Sequence, residues 1–153
     1  MSRESRLTAG VLLILMPAVV YGGASILSLL VGDPAYAQNQ LRHDLWRAGH
    51  AHAGVLLILS LITLRYVDEA GLSDGMKRVV RHSIPAAAIL LPAAFFLSVL
   101  SPEATEPNAL IYLAYVGALS LAMGLLLLGV GMIRSCRTPR DPKGTTQAER
   151  AGR

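Results

Sequence analysis

Two histidines carry the ionisable chemistry that enters a hydrophobic segment of this chain. In Arg47-Ala48-Gly49-His50-Ala51-His52-Ala53-Gly54 they stand at the mouth of an otherwise apolar run that reaches Leu64. Imidazole titrates near neutral pH and is the commonest protein ligand for metals, so coordination, proton transfer and hydrogen bonding are all open to this pair. Their spacing narrows the choice. Residues two apart on a helix point about 200° from each other, so a regular helix cannot turn both rings toward one metal ion. His50 belongs to a face with His43, Trp46, Arg47 and Gly54, at i, i+3, i+4, i+7 and i+11 counted from His43. His52 shares a different face with Ala48, Val55 and Leu59. Gly49 and Gly54 remove side-chain bulk beside the pair, which admits a neighbouring helix or a flat ligand such as a porphyrin ring.

Three roles follow from these residue types. In a non-catalytic or accessory membrane protein, His50 and His52 hydrogen-bond to Tyr112, Tyr115, Ser98 or backbone carbonyls and fix one end of a bundle. In a cofactor protein, His50, His52, His43, Arg47, Tyr112 and Tyr115 surround a haem. A divalent metal instead takes imidazoles from His50, His52 or His43 and oxygens from Asp44, Glu103 or Glu106, an N/O set that suits Zn or Cu. The third role is a small-solute or proton-coupled carrier in which one histidine titrates near pH 7.

The elements that position these residues are read from hydropathy. The chain has 153 residues, of which 53% are hydrophobic and only 16% charged, against about 25% charged in soluble proteins. That balance points to an all-α transmembrane four-helix bundle. Residues 7–31 and 109–133 are uncharged runs long enough to cross a hydrocarbon core of about 30 Å with tilt. Shorter spans are expected at 48–66, in a helix that starts ahead of the membrane, and at 84–100. The four spans make one transmembrane domain over 1–133, and the basic segment 134–153 is expected to be a disordered tail. Pro17 and Pro92 fall inside spans and should kink them, whereas Pro85 falls in a first turn, where proline is cheap. The linker 35–40 reads as an exposed connection and 67–81 as a soluble loop. Gly117, Gly124 and Gly131, at heptad spacing, read as a packing seam for a neighbouring helix, in this chain or in a homo-oligomer or membrane-complex partner.

Twelve of the fourteen lysines and arginines fall in the N-terminal segment, the 67–81 loop with Arg65, and the tail. By the positive-inside rule both termini are cytoplasmic and the protein is integral to the cytoplasmic membrane. His50, His52, Tyr21, Tyr112 and Tyr115 then share the outer half, and the inner half reads as inert. Arg81, His82 and Ser83 read as a juxtamembrane cluster facing anionic lipid headgroups. The net charge of +4 forms no aromatic-interleaved patch, so nucleic acid is not an expected partner. Arg3 and Arg6 ahead of an apolar run, with Ala35-Tyr36-Ala37 after it, have the outline of a signal peptide. The run is much longer than the 7–15 residues of such segments, which favours a retained helix. Cys136 is the single cysteine, so no internal disulfide or Cys-based zinc cage can form. The sequence contains no H-E-x-x-H, P-loop, G-x-S-x-G or G-x-G-x-x-G element.

The triplet His50-Ala51-His52 followed by Gly54 resembles the His-x-His helix starts of haem- and copper-associated bacterial membrane proteins. The nitric-oxide-response family and distant relatives of the oxidase catalytic subunit are among these. The resemblance covers about eight residues and implies a haem or copper near the start of the second span. Those families are larger and draw further histidines from other helices, whereas the first and fourth spans here have none. A second axial ligand would have to come from His43, from a bend in the second helix, from a Tyr or Met, or from a second copy. The chain as a whole looks like the small four-span integral membrane proteins common in bacteria.

Overall fold

Five capping side chains divide the computed structural model, which describes residues 1–137, into helices. The Ser2 hydroxyl accepts from the Ser5 N–H and opens α1, Arg3–Gly32. Asp33 accepts from the N–H groups of Ala35 and Tyr36 and opens the short α2, Pro34–Gln38, with proline at the first helical position. Asn39 caps α3, Gln40–Tyr66, through the Arg42 N–H. Ser73 caps α4, Asp74–Leu97, and Asn108 caps a 3-10 turn, Ala109–Tyr112, that feeds α5, Leu113–Arg137. No strand occurs among the described residues. Four stretches, Arg3–Gly32, Gln40–Tyr66, Asp74–Leu97 and Ala109–Cys136, are long and apolar enough to cross a membrane.

Several boundaries differ from the sequence reading. Residues 35–40 are not an exposed connection: most of them form α2, and Tyr36 is fully buried. The third long helix starts at Asp74 rather than near residue 84, so half of the expected soluble loop is helical. Pro85 therefore sits in the helix interior. It and Pro92 leave the carbonyls of Arg81 and Ala88 without an i+4 donor. α5 continues to Arg137, and the remainder of the expected tail lies outside the described residues.

α3 packs between α1 and α4, and α4 packs in turn against α5. Leu12 joins Leu57 and Leu64 at the first contact, and Leu56 joins Ala87 and Leu91 at the second. Val67, Ala70, Val80, Ile84 and Leu128 close the third. The heptad glycines of α5 serve this third contact. A β-carbon at Gly117 would lie 3.0 Å from Leu91 Cγ, one at Gly124 would strike Ser83 Oγ and Ile84, and one at Gly131 would strike Leu72. At these three glycines the space is thus taken by side chains of the same protomer. Outward, Ile14, Val20 and Val31 on α1 and Leu119 and Leu126 on α5 are broadly exposed, which suits contact with hydrocarbon rather than water.

The end that holds the N-terminus is not inert. Arg81 is buried there, donating from Nη2 to Asp68 Oδ1 at 2.6 Å, from Nη1 to Glu4 Oε2 at 3.0 Å, and from Nε to Ser5 Oγ at 3.0 Å. The Ser2 N–H donates to Asp68 Oδ2 at 2.6 Å, and Lys77 Nζ donates to the Asp68 carbonyl at 3.1 Å. These bonds tie the start of α1 to the α3–α4 loop and to α4. Burial alone would push the Asp68 carboxyl up. Arg81, the Ser2 N–H and the Ser5 hydroxyl outweigh it and hold the group at about 2, below its ordinary 3.8. Arg81 and Ser83 are buried in the bundle, so the expected lipid-facing triplet is reduced to His82.

Candidate functional site

At the opposite end of the bundle the two histidines diverge, as a regular helix requires. His50 projects toward α1 and lies on Gly23: a β-carbon at that glycine would be 2.7 Å from His50 Nε2 and 2.8 Å from Cε1. Only a residue without a side chain lets the imidazole occupy this position. His52 is exposed; its Nδ1 lies 2.7 Å from the Ala48 carbonyl oxygen, and its ring is 5.2 Å from that of Phe95. The close approaches that Gly49 and Gly54 permit are taken by neighbouring helices. Phe95 and Phe96 of α4 crowd Gly49, and Val19 of α1 reaches Gly54.

His50 lines a cleft of about 300 Å³ between α1 and α4, floored by α3. The remaining lining is apolar, with Leu12, Leu15 and Val19 from α1 and Ala88, Ile89 and Phe96 from α4 among it. Pro85 also borders the cleft, so the interruption of the α4 ladder lies beside it. His50 makes no hydrogen bond within the protein among the described residues, which leaves its ring nitrogens available to an occupant. An apolar cavity with one hydrogen-bonding group is chemically suited to a lipophile with a single polar head.

A second cluster caps this end. Tyr36, which is fully buried, stands 5.9 Å from His43 and 5.6 Å from Trp46, measured between ring centroids, and Trp46 is 5.8 Å from Phe96. The Arg42 guanidinium lies over Trp46 at 4.4 Å and over Tyr36 at 5.7 Å, a cation–π arrangement. Tyr36 Oη, Arg42 Nε, His43 Nε2 and Trp46 Nε1 are buried without a hydrogen-bond partner. The cluster locks α2 onto α3, and Asn39 adds a tie to the far loop by donating to the carbonyls of Pro102 at 2.9 Å and Ala104 at 3.1 Å.

The expected ligand sets are not assembled. Among the described residues no group of three or more His, Cys, Asp or Glu side chains is placed to hold a metal ion. His43 faces Tyr36 and contacts Asp44 at 3.5 Å, away from the His50 cleft. His52 turns to the Ala48 carbonyl, Arg47 is exposed, and Glu103 and Glu106 sit on the exposed α4–α5 loop. Tyr112 and Tyr115 are exposed and stack on each other at 6.2 Å rather than meeting a histidine. Ser98 donates to the Phe95 carbonyl. The sequence missed Gly23 as the partner of His50, although its place in a Gly22-Gly23 pair was a signal for close approach. It also missed Arg42 and Tyr36, whose joint role depends on α2 folding back. Comparison with protein-family models, with curated proteins and with solved structures finds no match.

Proposed function

We propose that this chain is a non-catalytic membrane component that holds a lipophilic molecule in the cleft between α1 and α4. The molecule has a long apolar body and one hydrogen-bonding head, and His50 meets that head. The observation that carries this reading is the His50 ring, fixed over Gly23 and turned to an apolar cleft with no protein partner for its nitrogens. The four long apolar helices and the exposed aliphatic surface of α1 and α5 support a bilayer as the setting. In this reading the termini are cytoplasmic, which the uneven distribution of lysine and arginine supports.

The test is the lipophile content of the full-length chain purified in mild detergent, extracted with organic solvent and read by mass spectrometry. One apolar species should co-purify in stoichiometric amount. Ala88→Phe, which adds bulk to the cleft wall, should remove it, and His50→Ala should reduce it. A chain that carries no lipophile, or carries the same amount after Ala88→Phe, overturns the proposal.

A further inference from the structure

A second recess lies on the face of α4 that meets α5, whereas the His50 cleft lies on the α1 side of the same helix. Residues 75, 78, 79, 82, 83 and 86 line it from α4, at i, i+3, i+4, i+7, i+8 and i+11, so the recess follows one helix face. At 1.5 Å per residue that face is about 16 Å long, the length of a headgroup plus the upper part of an acyl chain. Ser120 and Met123 line it from α5, and its volume is about 390 Å³.

Charge decides what fits. The first turns of α4 carry four basic residues in close sequence: Lys77, Arg78, Arg81 and His82. Lys77 is used by the Asp68 carbonyl and Arg81 by Asp68, Glu4 and Ser5. Arg78 and His82 are exposed, four residues apart on the recess face, and have no protein partner among the described residues. No carboxylate lines this recess. Arg78 also borders a neighbouring hollow, but Glu4 and Asp74 stand in that one and disfavour an anion there. Beside and beyond Arg78 and His82 the wall is apolar, through Val79, Ala86 and Met123. The Ser120 hydroxyl is already spent on the Ser83 carbonyl at 2.8 Å. At the upper end Gly75 leaves open space, since a β-carbon there would meet nothing within 4 Å.

We infer that this groove binds the anionic phosphodiester headgroup of a glycerophospholipid, with Arg78 and His82 on the phosphate and an acyl chain along Val79, Ala86 and Met123. A cationic rim over an apolar wall between helices is the pattern such headgroups require. A free phosphate would use the rim alone, whereas a phospholipid uses both parts.

The experiment is native mass spectrometry of the full-length chain released from mixed micelles of phosphatidylglycerol and phosphatidylcholine. Phosphatidylglycerol should be retained preferentially, and Arg78→Gln with His82→Gln should lower its retention about fivefold or more. Both side chains are exposed, so helix content by circular dichroism should be unchanged. Ala86→Phe should lower retention while Arg78 and His82 remain. Arg65→Gln, which removes an exposed cation already paired with Glu69, should leave retention unchanged. Equal retention of the two lipids, or undiminished phosphatidylglycerol in the Arg78/His82 double variant, overturns the inference. So does an equal loss from Arg65→Gln, which would mark unspecific surface charge. Complete displacement by millimolar inorganic phosphate would assign the rim to a free anion instead.

Discussion

The imidazole of His50 rests on the backbone of Gly23, with its Nε2 2.7 Å from where a β-carbon would stand. Two helices are thereby brought together at a point where one supplies a ring and the other supplies nothing but backbone. The glycine leaves the space that the ring occupies beside the cleft.

Substitution of Gly23 should report this contact. Gly23→Ala should cost up to about 1 kcal/mol, because the atoms it meets are the far end of the His50 side chain, which can swing toward the cleft. The same substitution made on a His50→Ala background should cost much less, because the obstructing atoms are gone. Denaturant or SDS titration of all four variants in detergent gives the coupling; additive costs would mean the ring does not depend on Gly23.

Asp68 makes folding sensitive to acid. Its carboxyl titrates at about 2 in the folded protein against an ordinary value of 3.8, so its contribution is fully present above the unfolded value. That stability should fade as the pH drops from about 5 toward 2, and Asp68→Asn should flatten this part of the stability curve. Arg81→Met alone should cost about 1–3 kcal/mol by leaving the carboxylate unpaired, and adding Asp68→Asn should recover part of it. Unfolding followed at pH 2.5, 4 and 7 checks both outcomes.

Tyr36 separates a hydroxyl from a ring. Its Oη is buried without a partner, so Tyr36→Phe should leave stability unchanged or raise it slightly. Tyr36→Ala should cost about 3–5 kcal/mol, the penalty of emptying a fully buried aromatic site. A loss above 1 kcal/mol in Tyr36→Phe would show that the hydroxyl is satisfied by a bound water or ligand. Thermal melts by circular dichroism suffice to distinguish the cases.

The α4–α5 seam offers a compensating pair. A methyl at Gly124 strikes Ser83 Oγ, an atom that is itself buried without a hydrogen-bond partner. Gly124→Ala should therefore destabilise by about 1–3 kcal/mol, and Ser83→Ala should relieve much of that by removing the obstructing hydroxyl. A double variant no better than Gly124→Ala would mean that Ile84 alone blocks the site.

The apolar spans and the divergence of His50 from His52 were legible along the chain, because hydropathy and helical pitch are local properties. The heptad glycines were legible as a seam for the same reason. Arg81 was misread as a lipid-facing residue: its burial depends on Asp68, thirteen positions earlier, and on Glu4 and Ser5 at the far end of the chain. Tyr36 was misread as part of an exposed linker, since nothing local distinguishes a solvated Ala-Tyr-Ala from one folded under Arg42 and Trp46.

By itself, then, the sequence determined what each segment is: helical, apolar over membrane length, interrupted at known positions, with one face of α3 bearing His50 and another bearing His52. These follow from backbone geometry and side-chain polarity within a few turns. Only the tertiary structure decided which helix each face meets. It set His50 on Gly23, filled the heptad glycines of α5 with side chains of α4 and of Leu72 ahead of it, withdrew Arg81 from the surface and left Arg78 and His82 unpaired. The metal set read from His50, His52, His43, Asp44, Glu103 and Glu106 is not gathered into one group of three among the described residues, because ligands must converge in space and spacing along a chain does not fix convergence between separate helices.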